Sequence, residues 1–315
     1  MIWGLAFDDG AMRQVDDCSA DAGTGFRWLH LNLASQPSKD WIAAQADLPA
    51  DVRELLLSPD THQRALVDSG VVGCVLHDLE RDFDDDDSVN VGALRLAFTD
   101  RMMITARLHP LRSADLVRSR LTRGATVAEP AQALDLLLAA IAEVVGGMAR
   151  QLSVEMQRAE DKFLAGHLPP SPRDLMLIRR RLAELHRMLD GMHAVFRRLE
   201  VDDELPMTVL PAVEKISQRL RGLDGDVMAI QGQLRLLRDE LEGQAAQRTN
   251  QNLYILSITT ALMLPATLVT GIFGMNTGGM PLAQAGHGTL VATMIALGAA
   301  AATFLLLRWS GFTRR

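Results

Sequence analysis

The sequence predicts a mixed α/β (α+β) domain, then long helices, then a C-terminal hairpin of two membrane-spanning helices. Three observations support this fold class. The first third alternates short apolar runs with polar turns, which is typical of strands mixed with short helices. From about residue 130 the apolar residues recur at helical spacing. Residues 249–307 contain no Asp, Glu, Lys or Arg, whereas the rest of the chain is densely charged.

The composition limits the classes of protein that fit. The net charge is −7, and every Asp and Glu lies in the first 248 residues, which argues against a nucleic-acid partner. Two cysteines, Cys18 and Cys74, do not make a disulfide framework, so a reducing compartment is expected. Residues 1–10 show no basic segment followed by an apolar core, and we expect no signal peptide.

The first third predicts both strands and helices. The apolar runs predict strands at 2–7, 28–33, 71–79, 91–98 and 102–107, and helical spacing predicts helices near 39–46, 50–58 and 113–120. The tripeptide Thr99-Asp100-Arg101 indicates a tight connection between two strands. The order of the strands in the sheet is left open.

Two long helices follow this domain. The first covers about 130–165, and the segment Pro169-Pro170-Ser171-Pro172 ends it. Ser171 is suited to cap the second helix, and Pro172 to be its first residue. A short acidic linker, 201–206, ends that second helix.

A third helix carries the most regular pattern of the soluble part. Its apolar residues alternate spacings of four and three, which is typical of a helix packed along another helix: Val209, Val213, Ile216, Leu220, Leu223, Val227, Ile230, Leu234, Leu237 and Leu241. No proline lies between Pro211 and Pro265. A continuous helix over 212–274 would be ~95 Å long. After Leu241 the pattern becomes polar, as expected for a stretch that faces water.

The charge-free stretch predicts two membrane spans. They cover about 252–274 and 289–307, each close to the ~20 residues that cross the hydrocarbon, with an outer loop at 275–288. Basic residues lie before the first span and after the second, and the loop between the spans contains none. The positive-inside rule then places both termini in the cytoplasm and predicts a multi-pass protein of the inner membrane. The resulting domains are 1–129 (cytoplasmic, mixed α/β), 130–251 (cytoplasmic long helices and stalk) and 252–315 (transmembrane, with a cytoplasmic tail).

The two spans differ in character. The second is rich in alanine and apolar all round. The first carries hydroxyls and glycines near one face: Ser257, Thr260, Thr267, Gly271 and Gly274. Such a stripe fits a helix that faces water or a neighbouring backbone. The alternative is that the hydroxyls bond to carbonyls of their own helix and the glycines only allow close packing.

Residues 254–281 resemble the motif region of the CorA superfamily of divalent-cation transporters. The resemblance rests on Leu264-Pro265-Ala266-Thr267, Gly271, Phe273 and the triplet Gly274-Met275-Asn276 before a last span. The chain is most similar to the zinc-transporting branch, because Gly278-Gly279-Met280-Pro281 follows the triplet and Leu282 stands where magnesium transporters usually carry an acidic residue.

The resemblance implies a homopentameric funnel with a central pore lined by the first spans. Asn276 would then form a ring of amide oxygens at the outer mouth, where it meets a hydrated cation. The implied pore-lining residues are Leu253, Ser257, Thr260, Leu264, Thr267 and Gly271, with Leu253 and Leu264 as apolar constrictions. The charge-free spans lack the Cys, His and carboxylate ligands of a tight zinc site. The resemblance also suggests proton coupling, for which His287 is the nearest titratable side chain.

The sequence therefore predicts a transporter of divalent cations, with zinc first and Mg²⁺, Co²⁺, Ni²⁺ or Cd²⁺ as other cargoes. We expect no enzyme activity and no permanently bound cofactor; the partners are the cations, the lipid bilayer and further copies of the chain. One alternative is a magnesium or cobalt channel. Another is a cytoplasmic regulatory or scaffolding domain tethered by the hairpin.

Three polar clusters are further candidates for cation binding. Asp239, Glu240 and Glu242 lie just before the first span, and we regard Asp239 and Glu242 as tentative cation ligands. A second cluster combines an acidic run with three preceding polar residues: His77, Asp78, Glu80, Asp82, Asp84, Asp85, Asp86 and Asp87. The third is His186, Asp190 and His193, at one helical face. For the last two, solvated surface is the simpler interpretation.

Overall fold

A computed structural model gives the fold of the chain. It describes residues 1–8, 11–18, 25–81, 90–165, 170–275 and 287–309. The chain divides into two compact units, Met1–Leu237 and Arg238–Arg315, which are described separately. One helix, Leu210–Gly274, has residues in both units.

The N-terminal unit is built on a seven-stranded sheet. The strands are β1 (Trp3–Asp8), β2 (Ala11–Gln14), β3 (Phe26–Asn32), β4 (Arg64–Asp68), β5 (Val71–Leu79), β6 (Val91–Phe98) and β7 (Met102–Arg107). Their order is β2-β1-β3-β7-β6-β5-β4. Strands β3 and β7 are parallel, with Leu29 opposite Ile104, and the other neighbours are antiparallel. One parallel pair therefore joins two antiparallel halves.

The predicted strands are confirmed within two residues at each end. The tight connection at Thr99 is confirmed too, because its N–H donates to the carbonyl of Met102 at 2.8 Å. The sequence prediction missed β2 and β4, the two edge strands. Both are short, and polar residues make up half of β2 and both ends of β4, so their alternation is weak.

The helices also follow the prediction closely. They are α1 (Gln36–Ala43), α2 (Ala50–Leu57), α3 (Arg112–Thr122), α4 (Pro130–Leu164), α5 (Pro172–Glu200), α6 (Leu210–Gly274) and α7 (Gly288–Trp309). The predicted cap is confirmed, since the Ser171 hydroxyl accepts a hydrogen bond from the Arg173 N–H at 3.2 Å. Helix α1 begins three residues earlier than predicted, because Pro37 fits its first turn.

The core of the N-terminal unit lies on both faces of the sheet. On one face, apolar side chains of β3 and β7 pack against α1 and α2; Leu29, Ile104, Ile42, Val52 and Leu56 are all fully buried. Each such side chain contributes about 1.5–3 kcal/mol when it is removed from water. Helices α3 and α4 contact β5, and α4 also contacts β7.

The apolar seam of α6 is buried where it crosses the N-terminal unit. Val209, Val213, Ile216, Leu220, Val227, Ile230, Leu234 and Leu237 are all less than 9% exposed. Polar contacts add to this packing: Lys215 pairs with Asp135 of α4 at 2.8 Å, and His186 of α5 with Asp224 at 2.7 Å. The predicted seam is therefore confirmed as far as Leu237, except that Leu223 is only partly buried. Pro265 lies inside α6 without ending it.

A buried histidine on β3 has both ring nitrogens in hydrogen bonds. Nδ1 of His30 lies 2.9 Å from the hydroxyl of Thr105, and Nε2 accepts from Nε of Arg107 at 3.0 Å. The same hydroxyl accepts from the Trp28 indole N–H at 3.0 Å. Burial, with Arg107 beside it, lowers the pKa of His30 from 6.5 to about 3. The ring therefore stays neutral at ordinary pH.

A buried carboxylate on β5 caps α3. One oxygen of Asp78 accepts from the Ser113 N–H at 3.0 Å and from its hydroxyl at 2.5 Å, and the other accepts from the Leu79 N–H at 2.8 Å. Leu111, at the cap position of α3, has no side chain that can do this. Burial raises the pKa of Asp78 from 3.8 to about 6. The carboxylate is thus a structural cap.

These two groups predict an unusual dependence of stability on pH. His30 contributes stability that is present above pH ~6.5 and lost as the pH falls toward its folded pKa. Asp78 contributes stability that is present below pH ~4 and lost as the pH rises through about 6. Between pH ~4 and ~6 the two groups change the free energy of unfolding by equal and opposite amounts per pH unit, so their effects cancel. In Asp78→Asn, stability should therefore fall by about 1.4 kcal/mol per pH unit, relative to wild type, as the pH is lowered from 6 to 4.

Unfolding of the full-length protein in detergent, followed by tryptophan fluorescence at several pH values, measures this difference. His30→Gln is the matched control, because it removes the other group and should give a slope of the opposite sign. Parallel pH profiles for wild type and both variants would rule out the compensation.

Candidate functional site

The candidate site lies on α6 within the C-terminal unit. The six predicted pore-lining residues Leu253, Ser257, Thr260, Leu264, Thr267 and Gly271 are all exposed in the single chain. The two leucines are the clearest case, since Leu253 is 54% and Leu264 63% exposed. Their spacing of four and three keeps them near one face of the helix. Other apolar residues of this part of α6, such as Leu256 and Met263, are exposed to the same degree.

A different face of α6 is partly covered. Its members are Ile258, Ala261, Leu262, Pro265, Ala266, Val269 and Phe273. On α7 the covered positions are Val291, Ala292, Ala296, Ala299, Ala300, Thr303 and Leu307, most of them small. Ala296 is the most buried, at 8% exposure. The small residues allow close helix packing, and we infer that α6 and α7 cover each other along these faces.

The hydroxyls of the exposed stripe bond to their own helix. Thr260 donates to the carbonyl of Leu256 at 2.8 Å, and Thr267 to that of Met263 at 2.9 Å. These are the bonds that the packing-only alternative expects. They also use the hydroxyl hydrogen and leave the oxygen lone pairs as acceptors. The stripe can therefore offer oxygen atoms to a cation.

An open groove follows the outer part of the stripe. It has a volume of ≈ 490 Å³ and is lined by Leu264, Thr267, Leu268, Gly271, Ile272 and Met275. A Cβ atom added at Gly271 or Gly274 would meet nothing within 4 Å. The glycines therefore keep this surface open rather than accommodating a neighbour inside the chain.

The triplet is only partly described. Gly274 ends α6 and Met275 follows it, 61% exposed, while Asn276, the rest of the loop to residue 286 and the tail from residue 310 lie outside the described residues. The carbonyls of the last turn of α6 carry the negative end of the helix dipole. His287, which the sequence analysis named for proton coupling, is exposed before α7.

The acidic residues before the first span are exposed, but they differ in their partners. Glu242 accepts from the Arg238 guanidinium at 2.8 Å, and Glu240 from the Gln244 amide at 3.3 Å. Asp239 is in heptad phase with the stripe, through positions 243, 246 and 250 to Leu253. Asp239 and Glu242 both lie on the side of α6 that carries the stripe.

The other predicted clusters do not form metal sites in the described part of the chain. There, no group of three or more His, Cys, Asp and Glu side chains is close enough to hold a metal ion. His186 pairs instead with Asp224, and Asp190 is exposed. The acidic run at 82–87 lies outside the described residues, and Asp78, beside it, is the buried cap of α3.

Both cysteines are free, and neither belongs to a site. Cys74 is buried in β5, and burial raises its pKa to about 12, so the thiol is inert. Cys18 is partly exposed, and burial is the largest cause that raises the pKa of its thiol as well. Neither thiol is activated as a ligand or nucleophile.

A pocket that the sequence analysis did not find lies between α5 and the ends of β5 and β6. It has a volume of ≈ 360 Å³ and is lined by His77, Asn90, Val91, Glu184, Arg187 and Met188. The sequence analysis named His77 but not Glu184, because more than a hundred residues separate them and no spacing pattern links the two. Only the packing of α5 against the sheet brings them together.

Within the described part of the chain, three helices are long and apolar enough to cross a membrane. Two are α6 and α7, whose apolar windows are 0% and 6% buried. The third is α4, whose window is 56% buried because that helix packs in the N-terminal unit. The exposed windows of α6 and α7 therefore fit membrane spans, and that of α4 fits a core helix.

Comparison with protein families gives a match over most of the chain. The family described as CorA-like Mg²⁺ transporter protein matches residues 23–309. Among individual proteins, the zinc transport protein ZntB of Klebsiella pneumoniae is 27% identical over 285 residues, which are 89% of this chain and 85% of that protein. ZntB of an Enterobacter species is 26% identical over 277 residues, 86% of this chain and 83% of that protein.

Solved structures share the fold. The full-length CmaX protein superposes with a TM-score of 0.81 at 23% identity, covering 98% of this chain and 96% of that one. The CorA magnesium transporter of Methanocaldococcus jannaschii gives a TM-score of 0.78 at 16% identity and covers 98% of both chains. At these identities the likeness shows a common fold alone.

Proposed function

This chain belongs to the CorA family of divalent-cation transporters, and we propose that zinc is its main cargo. The choice of zinc is supported by the ZntB relatives, at about a quarter identity. Leu282, in place of an acidic residue after Met280-Pro281, also separates the chain from the magnesium type that the resemblance describes.

We propose that five copies surround a central pore in the inner membrane. Residues 252–274 and 289–307 are the two spans of each copy, with both termini in the cytoplasm. The cytoplasmic part then comprises a mixed domain at 1–129 and the long helices at 130–251, and 252–315 is the transmembrane domain. The apolar, unburied windows of α6 and α7 support this division.

One observation carries the pore assignment, namely that the hydroxyls and the glycine of α6 share one exposed face that differs from its partly covered face. Leu253, Leu264 and the hydroxyls between them are exposed although α7 is available to cover a different face. In a ring of copies this stripe is the face left for the lumen. Leu253 and Leu264 are then apolar constrictions, Ser257 and Thr260 supply hydroxyl oxygens between them, and Thr267 supplies one beyond Leu264.

The chemistry of this lumen suits a cation that keeps part of its water. The spans contain no Cys or carboxylate that would strip and trap zinc. Asn276 adds amide oxygens beside the negative end of α6, where a hydrated cation is favoured. Weak, repeated oxygen contacts allow the ion to leave as well as enter.

Asp239 is the carboxylate that we assign to the cytoplasmic mouth. Both Asp239 and Glu242 are in phase with the stripe, and Glu242 also accepts a hydrogen bond from Arg238. A ring of Asp239 side chains would raise the local concentration of cations before the first constriction. Glu242 remains a weaker candidate for the same role.

A matched pair of glycine substitutions tests the lumen. Gly271 lies on the stripe and Gly298 on the exposed side of α7, and a Cβ at either position meets nothing within 4 Å. We expect Gly271→Leu to reduce zinc flux into vesicles at least about tenfold, because five leucines narrow the lumen and add an apolar barrier of about 1.4 kcal/mol or more. Gly298→Leu, which faces lipid, should change the flux less than twofold.

Equal losses in the two variants would contradict the assignment of the stripe to the lumen. The same vesicles, assayed with zinc and with magnesium and with and without a pH gradient, decide the cargo. Gradient-independent magnesium flux that exceeds the zinc flux would replace the zinc proposal by a magnesium channel, the alternative that the family description favours. Zinc flux that rises with an inward proton gradient would support proton coupling.

A further inference from the structure

The pocket between α5 and the sheet combines donors of the type that bind transition metals. His77 and Asn90 come from the ends of β5 and β6, and Glu184 comes from α5. The pocket shares no residue with the α6 stripe, so its role is independent of the pore. Its volume of ≈ 360 Å³ holds an ion together with several waters.

His77 is held in the tautomer that a metal ligand needs. Its Nε2–H donates to the backbone carbonyl of Thr61 at 2.9 Å. Since a carbonyl only accepts, the ring hydrogen lies on Nε2, and Nδ1 keeps a lone pair. A histidine whose second nitrogen donates to a carbonyl is the usual arrangement of a metal-bound imidazole. Burial lowers the pKa of His77, which keeps the ring neutral and able to coordinate.

The other side of the pocket supplies oxygen ligands. The Glu184 side chain is 21% exposed, and one of its oxygens accepts from Nε of Arg180 at 3.1 Å. The second carboxylate oxygen remains for a ligand. Asn90 adds an amide oxygen. One positive group, the exposed Arg187, also lines the pocket and opposes a cation.

We propose that this pocket is a second divalent-cation site, with His77 Nδ1, Glu184 and Asn90 as protein ligands and water completing the shell. Zinc and chemically similar cations such as Co²⁺ fit this nitrogen-and-oxygen set, whereas Mg²⁺ prefers oxygen ligands alone. An anion fits less well, because the neutral imidazole offers a lone pair and Glu184 is negative.

Binding at this pocket would join the sheet to α5. His77 belongs to β5 and Glu184 to α5, so one ion coordinated by both is a bridge between the two elements. A neighbouring bridge already exists, since the Gln63 amide donates to the carbonyl of Met188 at 3.0 Å and accepts from the His77 N–H at 3.3 Å. Helix α5 in turn contacts α6 through His186 and Asp224. The bound cation would therefore fix the position of α5 between the sheet and α6.

The test uses Co²⁺ as the probe on the purified full-length protein in detergent. Absorption of the bound ion and titration calorimetry give the number of sites per chain and their affinities. We expect His77→Gln and Glu184→Gln each to remove one Co²⁺ equivalent per chain, or to weaken it at least about tenfold. Met188→Leu is the matched control, because it keeps the size of a lining side chain without touching a ligand, and it should bind as wild type.

Arg187→Gln distinguishes a cation site from an anion site. Loss of the opposing charge should tighten Co²⁺ binding several-fold, and a weaker or unchanged affinity would overturn the proposal. The proposal would also be overturned if His77→Gln and Glu184→Gln both bound Co²⁺ like wild type and had wild-type melting temperatures. If both variants melt early, Asn90→Ala in the exposed strand end replaces them under the same criterion. Asn276→Ala should not change Co²⁺ binding at this pocket, so the test of this proposal does not depend on the proposed pore.

Discussion

Asn276→Ala should lower zinc flux into reconstituted vesicles by about a hundredfold while the oligomer still assembles. In the proposed pore, Asn276 stands two residues after Gly274, the last residue of α6, and its amide oxygen would receive the ion together with the last carbonyls of the helix. The loss of two oxygen contacts at ~1.5 kcal/mol each amounts to ~3 kcal/mol, which is about a hundredfold in rate or affinity. Isotope uptake at a fixed zinc gradient measures the flux.

Asn276→Gln is the matched control, because it keeps the amide and moves it by one methylene. We expect a loss intermediate between wild type and Asn276→Ala. Size-exclusion chromatography must show the same oligomer for all three proteins. Full zinc flux in Asn276→Ala would contradict the amide ring, and the absence of flux in wild type would favour the alternative of a tethered regulatory or scaffolding domain.

Trp28→Ala should cost the N-terminal unit about 4 kcal/mol of unfolding free energy. The indole is 1% exposed at the centre of the sheet, packs edge-on against Trp3 with ring centroids 5.4 Å apart, and donates to Thr105. Its removal leaves a large cavity and takes one partner from the hydroxyl that contacts His30. For a unit of this size the melting temperature should fall by roughly 10 °C. Thermal unfolding followed by circular dichroism measures the change.

Two substitutions separate the cavity from the hydrogen bond. Trp28→Phe keeps most of the ring and loses the N–H, so we expect a cost of only about 1–2 kcal/mol. Trp41→Ala removes a tryptophan that is only partly buried against the same sheet, and should cost less than Trp28→Ala. Equal losses of unfolding free energy in Trp28→Ala and Trp41→Ala would show that the hydrogen bonds around Thr105 do not contribute to stability.

The sequence predicts the long helices well because their apolar residues repeat over many turns. The seam from Val209 to Leu237 is an example, and so is the cap at Ser171. The edge strands β2 and β4 could not be recognised, since a short strand at an edge needs no alternation. The parallel pairing of β3 with β7 could not be predicted from the sequence either. Periodicity indicates which residues are apolar and not which distant strand lies beside them.

The candidate sites also differ in how far the sequence predicts them. The stripe on α6 was predictable, because its residues lie on one helix and their spacing alone places them near one face. The pocket of His77 and Glu184 was not, because it depends on how α5 crosses the sheet. The interpretation of Asp78 changed for this reason: beside an acidic run it resembles a cation site, and in the fold it caps α3.

The parallel contact between β3 and β7 sets an order for folding during synthesis. The other pairings join strands that are consecutive in the chain or, for β1 and β3, separated by one short strand, but β3 must wait until Met102–Arg107 has been made before its second edge is paired. Such a non-local contact forms late and slowly compared with a hairpin. The whole sheet is nevertheless complete before the first apolar span is translated, because β7 ends at Arg107 and the charge-free stretch begins at residue 249. Synthesis of the strands is therefore complete before that of the charge-free stretch, so strand pairing can precede the integration of α6 and α7 into the membrane.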